Sequence, residues 1–235
     1  MRLTIYLTAA AVILIFGQIA ERMLTPAAVA AESMDAGMMN EGAGTGDGMK
    51  GMKGMQPMAA HKSLGEGAQL NAENETTIPD GFRYWPFIGA PLTPHGLNNG
   101  AAGFPEFHHV YIEPEAFRAY IATGEFPEGT TIVKELVLLQ EGEYEDGSRD
   151  AASGRGFFAD RFAGIDMMVK DTARFKETNG WGFYNFGHHE PPYAKVASPA
   201  SYADCASCHE GGADHDMVFT SMYPFLRQEY HQKME

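Results

Sequence analysis

Both cysteines of this 235-residue chain fall in one pentapeptide, Cys205-Ala206-Ser207-Cys208-His209. No disulfide can therefore tie distant segments together, so a stapled scaffold is excluded and an apolar core must hold the fold. The composition allows one, with 44% of residues apolar and 20% charged, the balance of an ordinary globular domain. A structural zinc ribbon would need a second CxxC pair that the chain lacks. The formal net charge of −14 argues against a nucleic acid partner and favours a basic one wherever a charged partner is involved.

The chain divides into three parts by composition. Arg2 precedes an apolar run, Leu3 to Ala20, and Ala28-Val29-Ala30 supplies the small residues of a cleavage site, so residues 1–30 read as a secretory signal peptide or, if retained, as an N-terminal anchor. In both cases the remainder is exported. Residues 31–77 hold seven methionines (34, 38, 39, 49, 52, 55, 58) and no aromatic residue, a composition that cannot offset its ordering entropy and reads as a disordered tether. Its Gly-Met-Lys-Gly-Met-Lys-Gly-Met repeat, with His61 nearby, also offers soft thioethers to copper(I). From Ile78 to Glu235 the composition is that of one globular domain.

Within that domain, strand-like runs bounded by Gly and Pro are expected at Phe82 to Gly89, Glu106 to Ile112, Thr131 to Leu139, Gly156 to Ala163 and Trp181 to Gly187,. Pro114 opens a helix that Gly124 stops, and Asp171 can cap a short one through Phe175. The last forty residues read as helical, around Tyr202 to His209 and again from Asp216 to about His231, where Met217, Phe219, Met222 and Leu226 recur at helical spacing. The expected fold is α+β: an antiparallel sheet with helices at the C-terminal end that carry the CxxCH sequence.

Two thiols three residues apart on one helical turn can form thioethers with the two vinyl groups of a haem, and the adjacent histidine can turn its imidazole to the iron. Cys205 and Cys208 are thus candidate haem c anchors, and His209 the candidate iron ligand. A redox CxxC leaves His209 unexplained, zinc needs two further ligands, for which His209 and His215 are available although Cys208 and His209 are adjacent and ligate one metal awkwardly, and a disulfide across two residues closes a strained ring. Met217 and Met222 fit core packing better than a sixth iron ligand, so the iron keeps one site open for a small molecule. Lys134 also stands out: alternation in Thr131 to Leu139 puts it on the face of Ile132, Leu136 and Leu138. An ammonium there must be paired, neutralised or reacted, unless it snorkels from an edge strand beside Glu135.

Six stretches resemble one family: Tyr84-Trp85, His109 to Phe117 (HVYIEPEAF), Thr123 to Thr130 (TGEFPEGT), Val133 to Val137 (VKELV), Cys205 to His209 (CASCH) and Asp216 to Thr220 (DMVFT). In this order they closely resemble cytochrome P460, across roughly residues 78 to 230. The resemblance implies a periplasmic homodimer with a mainly antiparallel β fold and a covalently attached haem c, whose porphyrin meso carbon is bonded to a lysine. That lysine falls on Lys134. It also implies oxidation of hydroxylamine to nitric oxide or nitrous oxide at a five-coordinate iron, with electrons passed to a redox partner, here expected to be a basic cytochrome. Hydroxylamine-oxidising members place a glutamate about five residues before CxxCH, but Ser198 to Asp204 contains none. The candidates for the base this chemistry needs are Asp204 and His108, the latter on the face of Glu106, Val110 and Ile112 and opposite His109. Either histidine reads equally as a surface strand residue, and His188-His189-Glu190 as a polar loop. A scaffold that only binds nitric oxide or carries electrons is the alternative function.

Overall fold

Runs rich in β-branched and aromatic residues pair in chain order into a five-stranded antiparallel sheet: β1 (Phe87–Gly89), β2 (Phe107–Ile112), β3 (Thr131–Leu139), β4 (Ala159–Lys170) and β5 (Trp181–Asn185). The computed structural model describes residues 66–227. The signal or anchor, the methionine-rich segment with its copper alternative, and the chain beyond Arg227 lie outside the described residues. Between β2 and β3 runs α1 (Pro114–Thr123), with Pro114 in its first turn. The Glu113 carboxylate caps it, accepting from the amides of Glu115 at 2.9 Å and Ala116 at 2.7 Å, and Gly124 ends it in the left-handed region at φ 82°,. The chain is thus an α+β domain, as its patterning implies.

The register decides which side chains meet. Val110, Lys134, Asp166 and Asn185 lie opposite one another in a single row across β2, β3, β4 and β5. Ile112, Ile132, Met168 and Phe183 form the next row on the same face. Ala116 and Tyr120 of α1 pack onto this face, as do Ala206, Met217, Val218 and Leu226 of the C-terminal segment. The opposite face carries Val133, Ile165, Met167 and Tyr184, covered by Phe82, Trp85, Phe175 and Phe186. Each face therefore buries its own apolar layer.

Four expectations need correction. The first strand is shorter than Phe82 to Gly89, because Phe82–Tyr84 form a 3₁₀ turn before Pro86. β4 starts later and runs seven residues beyond Ala163, through the apolar stretch Ile165 to Val169. No helix starts at Asp216. Asp216 and Met217 adopt φ 45° and 63°, which breaks helical geometry, and among the described residues two 3₁₀ turns, Thr220–Met222 and Pro224–Leu226, follow. Residues 66–77, assigned by composition to the tether, lie against the domain: Thr76 bridges Ala197, and Ala68 and Leu70 pack onto the second apolar layer. A composition average hides these few apolar contacts.

Candidate haem site

The CxxCH sequence spans a five-residue π-helical turn, Tyr202–Ala206, that passes into α2 (Ser207–Gly212). Such wide turns occur often at functional positions. Ala206 is fully buried and anchors the turn to the Lys134 face of the sheet. Both cysteines are free thiols, Cys205 half-buried and Cys208 exposed. Burial pushes the Cys205 thiol above its ordinary range.

His209 is held by contacts from two directions. Its Nδ1 lies 2.7 Å from the Met217 carbonyl, and its ring packs against Phe183 and Phe219, with centroids 4.7 and 5.0 Å away. With Nδ1–H donating to that carbonyl, Nε2 is the nitrogen left to bind a metal. The positive φ of Met217 is what turns this carbonyl back toward α2,. The turn is tied to the sheet by Asp216, which accepts from Lys170 Nζ at 2.7 Å and from Trp181 Nε1 at 3.2 Å. Burial lowers the basicity of His209, which keeps the imidazole neutral and fit to be a ligand. These features match the donor set a haem c requires: two unbridged thiols on one turn, and an imidazole with one nitrogen committed and the other available. Among the described residues, no group of three or more His, Cys, Asp or Glu side chains converges in a way that would hold a metal ion by itself.

Lys134 faces the layer that the CxxCH turn covers. Its ammonium lies 2.9 Å from Asp166 Oδ2 and 4.2 Å from the centre of the Phe104 ring. The other oxygen of Asp166 accepts from Asn185 Nδ2 at 2.7 Å and lies 2.9 Å from His188 Nε2. Gly164 leaves room for this histidine, since a Cβ there would approach its ring to 3.1 Å. Burial raises the Asp166 carboxyl, but the His188 hydrogen bond and the Lys134 charge outweigh it and hold the group far below the usual carboxylate range. The bond to Asp166 raises His188 above its ordinary value. Phe104 links these groups to His108, whose ring centre is 5.7 Å from its own. His108 Nε2 and Glu106 Oε2 are buried without hydrogen-bond partners. Burial, then the Lys134 charge, lower His108 to about 4, so it is neutral at neutral pH.

The structure thus brings Lys134, His108, His188 and Asp166 to the face that bears Cys205 and His209. Lys134 and Asp166 are close enough for their charges to act on both of those groups. Asp204 does not join them: its side chain is exposed and accepts from Ser201 Oγ at 2.6 Å within the turn. Asp166 is the carboxylate that sequence reasoning missed, because the expected strand ended at Ala163. An acid inside the apolar run Ile165-Asp166-Met167-Met168-Val169 was the available signal, the counterpart of Lys134 in its own run. A separate shallow groove, lined in part by Tyr120, Asp214, His215 and Thr220, includes none of these residues.

In comparisons with known proteins, a family model, Cytochrome P460, matches residues 79–220. No curated protein matches the chain. The matched span contains β1 to β5 and α2, and with them every residue of the cluster described above.

Proposed function

The chain belongs to the cytochrome P460 family, and from that premise we propose that it is an exported haem c oxidoreductase that oxidises hydroxylamine to nitric oxide or nitrous oxide. Membership of this family implies a haem cofactor. In the proposed enzyme Cys205 and Cys208 hold the porphyrin through thioethers, His209 binds the iron through Nε2, and Lys134 is bonded to the ring. When bound, the haem would supply a redox-active iron able to take electrons from the substrate. The observation that carries the reading is the placement of Lys134, next to the apolar row of Ile112, Ile132, Met168 and Phe183, on the sheet face against which the CxxCH turn packs.

The chain's own groups account for the protons. Oxidation of hydroxylamine to nitric oxide releases three protons together with three electrons, so a neutral base beside the substrate is required. His108 meets that need in place of the absent glutamate: Nε2 is buried, unpartnered and uncharged at neutral pH. The Met217 carbonyl, by accepting from His209 Nδ1, fixes the ligand ring and raises its donor strength,. The Phe183 and Phe219 rings pack against it and shield part of its surface. The net charge of −14 supports a basic electron acceptor,. The run Leu3 to Ala20 behind Arg2 supports export to the periplasm,. Purified holoprotein mixed with hydroxylamine and an artificial one-electron acceptor is expected to reduce the acceptor and form nitric oxide or nitrous oxide. Tight nitric oxide binding without acceptor reduction would overturn the enzyme reading in favour of a binding cytochrome.

A further inference from the structure

Lys134 poses a chemical difficulty of its own. As an ammonium paired with a carboxylate it has no lone pair, so it cannot attack carbon until a proton leaves. Once it is bonded and neutral, Asp166 is left as a carboxylate without its cation in a site where its side chain is 21% exposed. Both problems have an answer in the residues around it.

We infer that Asp166 is the positioning residue that aligns the Lys134 amine for its bond to the porphyrin, and that His188 takes up the released proton and replaces Lys134 as the cation on Asp166. The inference rests on the reading of Lys134 as a ring-bonded residue. Three observations carry it. Asp166 is fixed by donors on both oxygens, Lys134 on one and Asn185 with His188 on the other. Asn185 is itself braced, its Oδ1 accepting from the Gly187 amide at 3.1 Å, so the carboxylate cannot swing away. His188 is 44% exposed, which lets it exchange protons with solvent while still touching Asp166. The other ionisable groups facing the cluster are Glu106 just before β2, His108 in β2, and Cys205 and His209 of the CxxCH turn. His108 Nε2 and Glu106 Oε2 make no hydrogen bond to the protein, and therefore none to Asp166.

The step balances. The Lys134 ammonium gives up two protons and the meso carbon one, a C–N bond forms, and two electrons are released. Those electrons and two of the protons convert a peroxide-class oxidant to two waters. The third proton goes to His188. The cluster begins with one cation on Lys134 and ends with one on His188, and Asp166 stays ionised throughout, so no unpaired charge is left in the site. The raised proton affinity of His188 agrees with this.

The test uses freshly haem-loaded holoprotein treated with hydrogen peroxide, comparing wild type with Asp166→Asn and His188→Gln. The readout is the fraction of haem peptide joined to the Lys134 peptide by mass spectrometry. Thioether-bound haem content and thermal midpoint serve as folding controls. Joining is expected to slow about a hundredfold in Asp166→Asn and about tenfold in His188→Gln, with haem content unchanged. Joining at the wild-type rate in either correctly folded variant overturns the inference. Absence of joining in wild type itself overturns the ring-bonded reading of Lys134 and the inference with it, whereas failure of the inference alone shows only in the variants.

Discussion

Lys134 and Glu135 are chain neighbours whose side chains leave β3 in opposite directions, and the two faces of the sheet treat their charges differently. Glu135, 1% exposed, is gripped by the Arg83 guanidinium fork, with Nε 3.1 Å from both carboxylate oxygens. That guanidinium lies over the rings of Phe82 and Phe162. Here only the carboxylate is closed off, since the Arg83 side chain is 49% exposed while it grips a buried Glu135. Lys134 and Asp166 are both partly buried, 24% and 21% exposed, and are bordered by half-exposed His188 and by the unpartnered Nε2 of His108. Unpartnered polar atoms occur on both faces, but Trp85 Nε1 and Tyr193 Oη on the Glu135 side belong to groups that do not exchange protons near neutral pH. On the Lys134 side the unpartnered atom is an imidazole nitrogen, His108 Nε2, whereas His109 on the Glu135 side has no such buried unpartnered atom among the described residues. One ion pair therefore holds a single buried carboxylate to the fold, and the other sits among groups that exchange protons, as the proposed bond of Lys134 to the porphyrin requires.

Separating the faces by mutation sharpens this contrast. The largest effect is expected from Arg83→Ala, which leaves Glu135 buried without its cation and should cost about 3 kcal/mol of stability in urea unfolding. The haem absorption spectrum should not change. A shifted spectrum would show that the faces are coupled and break the comparison. A smaller effect is expected from His108 on the other face. Its proton affinity is lower in the folded protein, about 4, than in an unfolded chain, about 6.5,. The stability this contributes is complete above pH 6.5 and lost as pH falls toward 4, because the unfolded chain binds the proton first. Thermal midpoints should fall across that window and fall less in His108→Gln. Equal slopes would place the acid sensitivity elsewhere.

Much of the sheet was legible because alternation is a local property. Thr131 to Leu139 reads as a strand from its own residues, and so does the lysine on its apolar face. The Pro114 start and the Gly124 stop of α1 were legible for the same reason, whereas its Glu113 cap was not read. Asp216 and Met217 were not, because the methionine and aromatic spacing beyond them mimics a helix. What wins there is a tertiary demand: Lys170 and Trp181 hold Asp216, and His209 needs the Met217 carbonyl. Asp166 was hidden by a strand boundary, and its partnership with Lys134 depends on a cross-strand register that no single run can encode,. His188 was visible only as loop polarity, since its role comes from the room that Gly164 leaves over β4.

The central claim is that the Lys134 face and the CxxCH turn share one haem. Tryptic digestion of the wild-type holoprotein followed by mass spectrometry tests it most directly. The account predicts a single species in which the peptide containing Cys205, Cys208 and His209 and the peptide containing Lys134 are joined through the porphyrin, with no cleavage after Lys134. Recovery of the haem on the cysteine peptide alone, with Lys134 cleaved and unmodified, would contradict it.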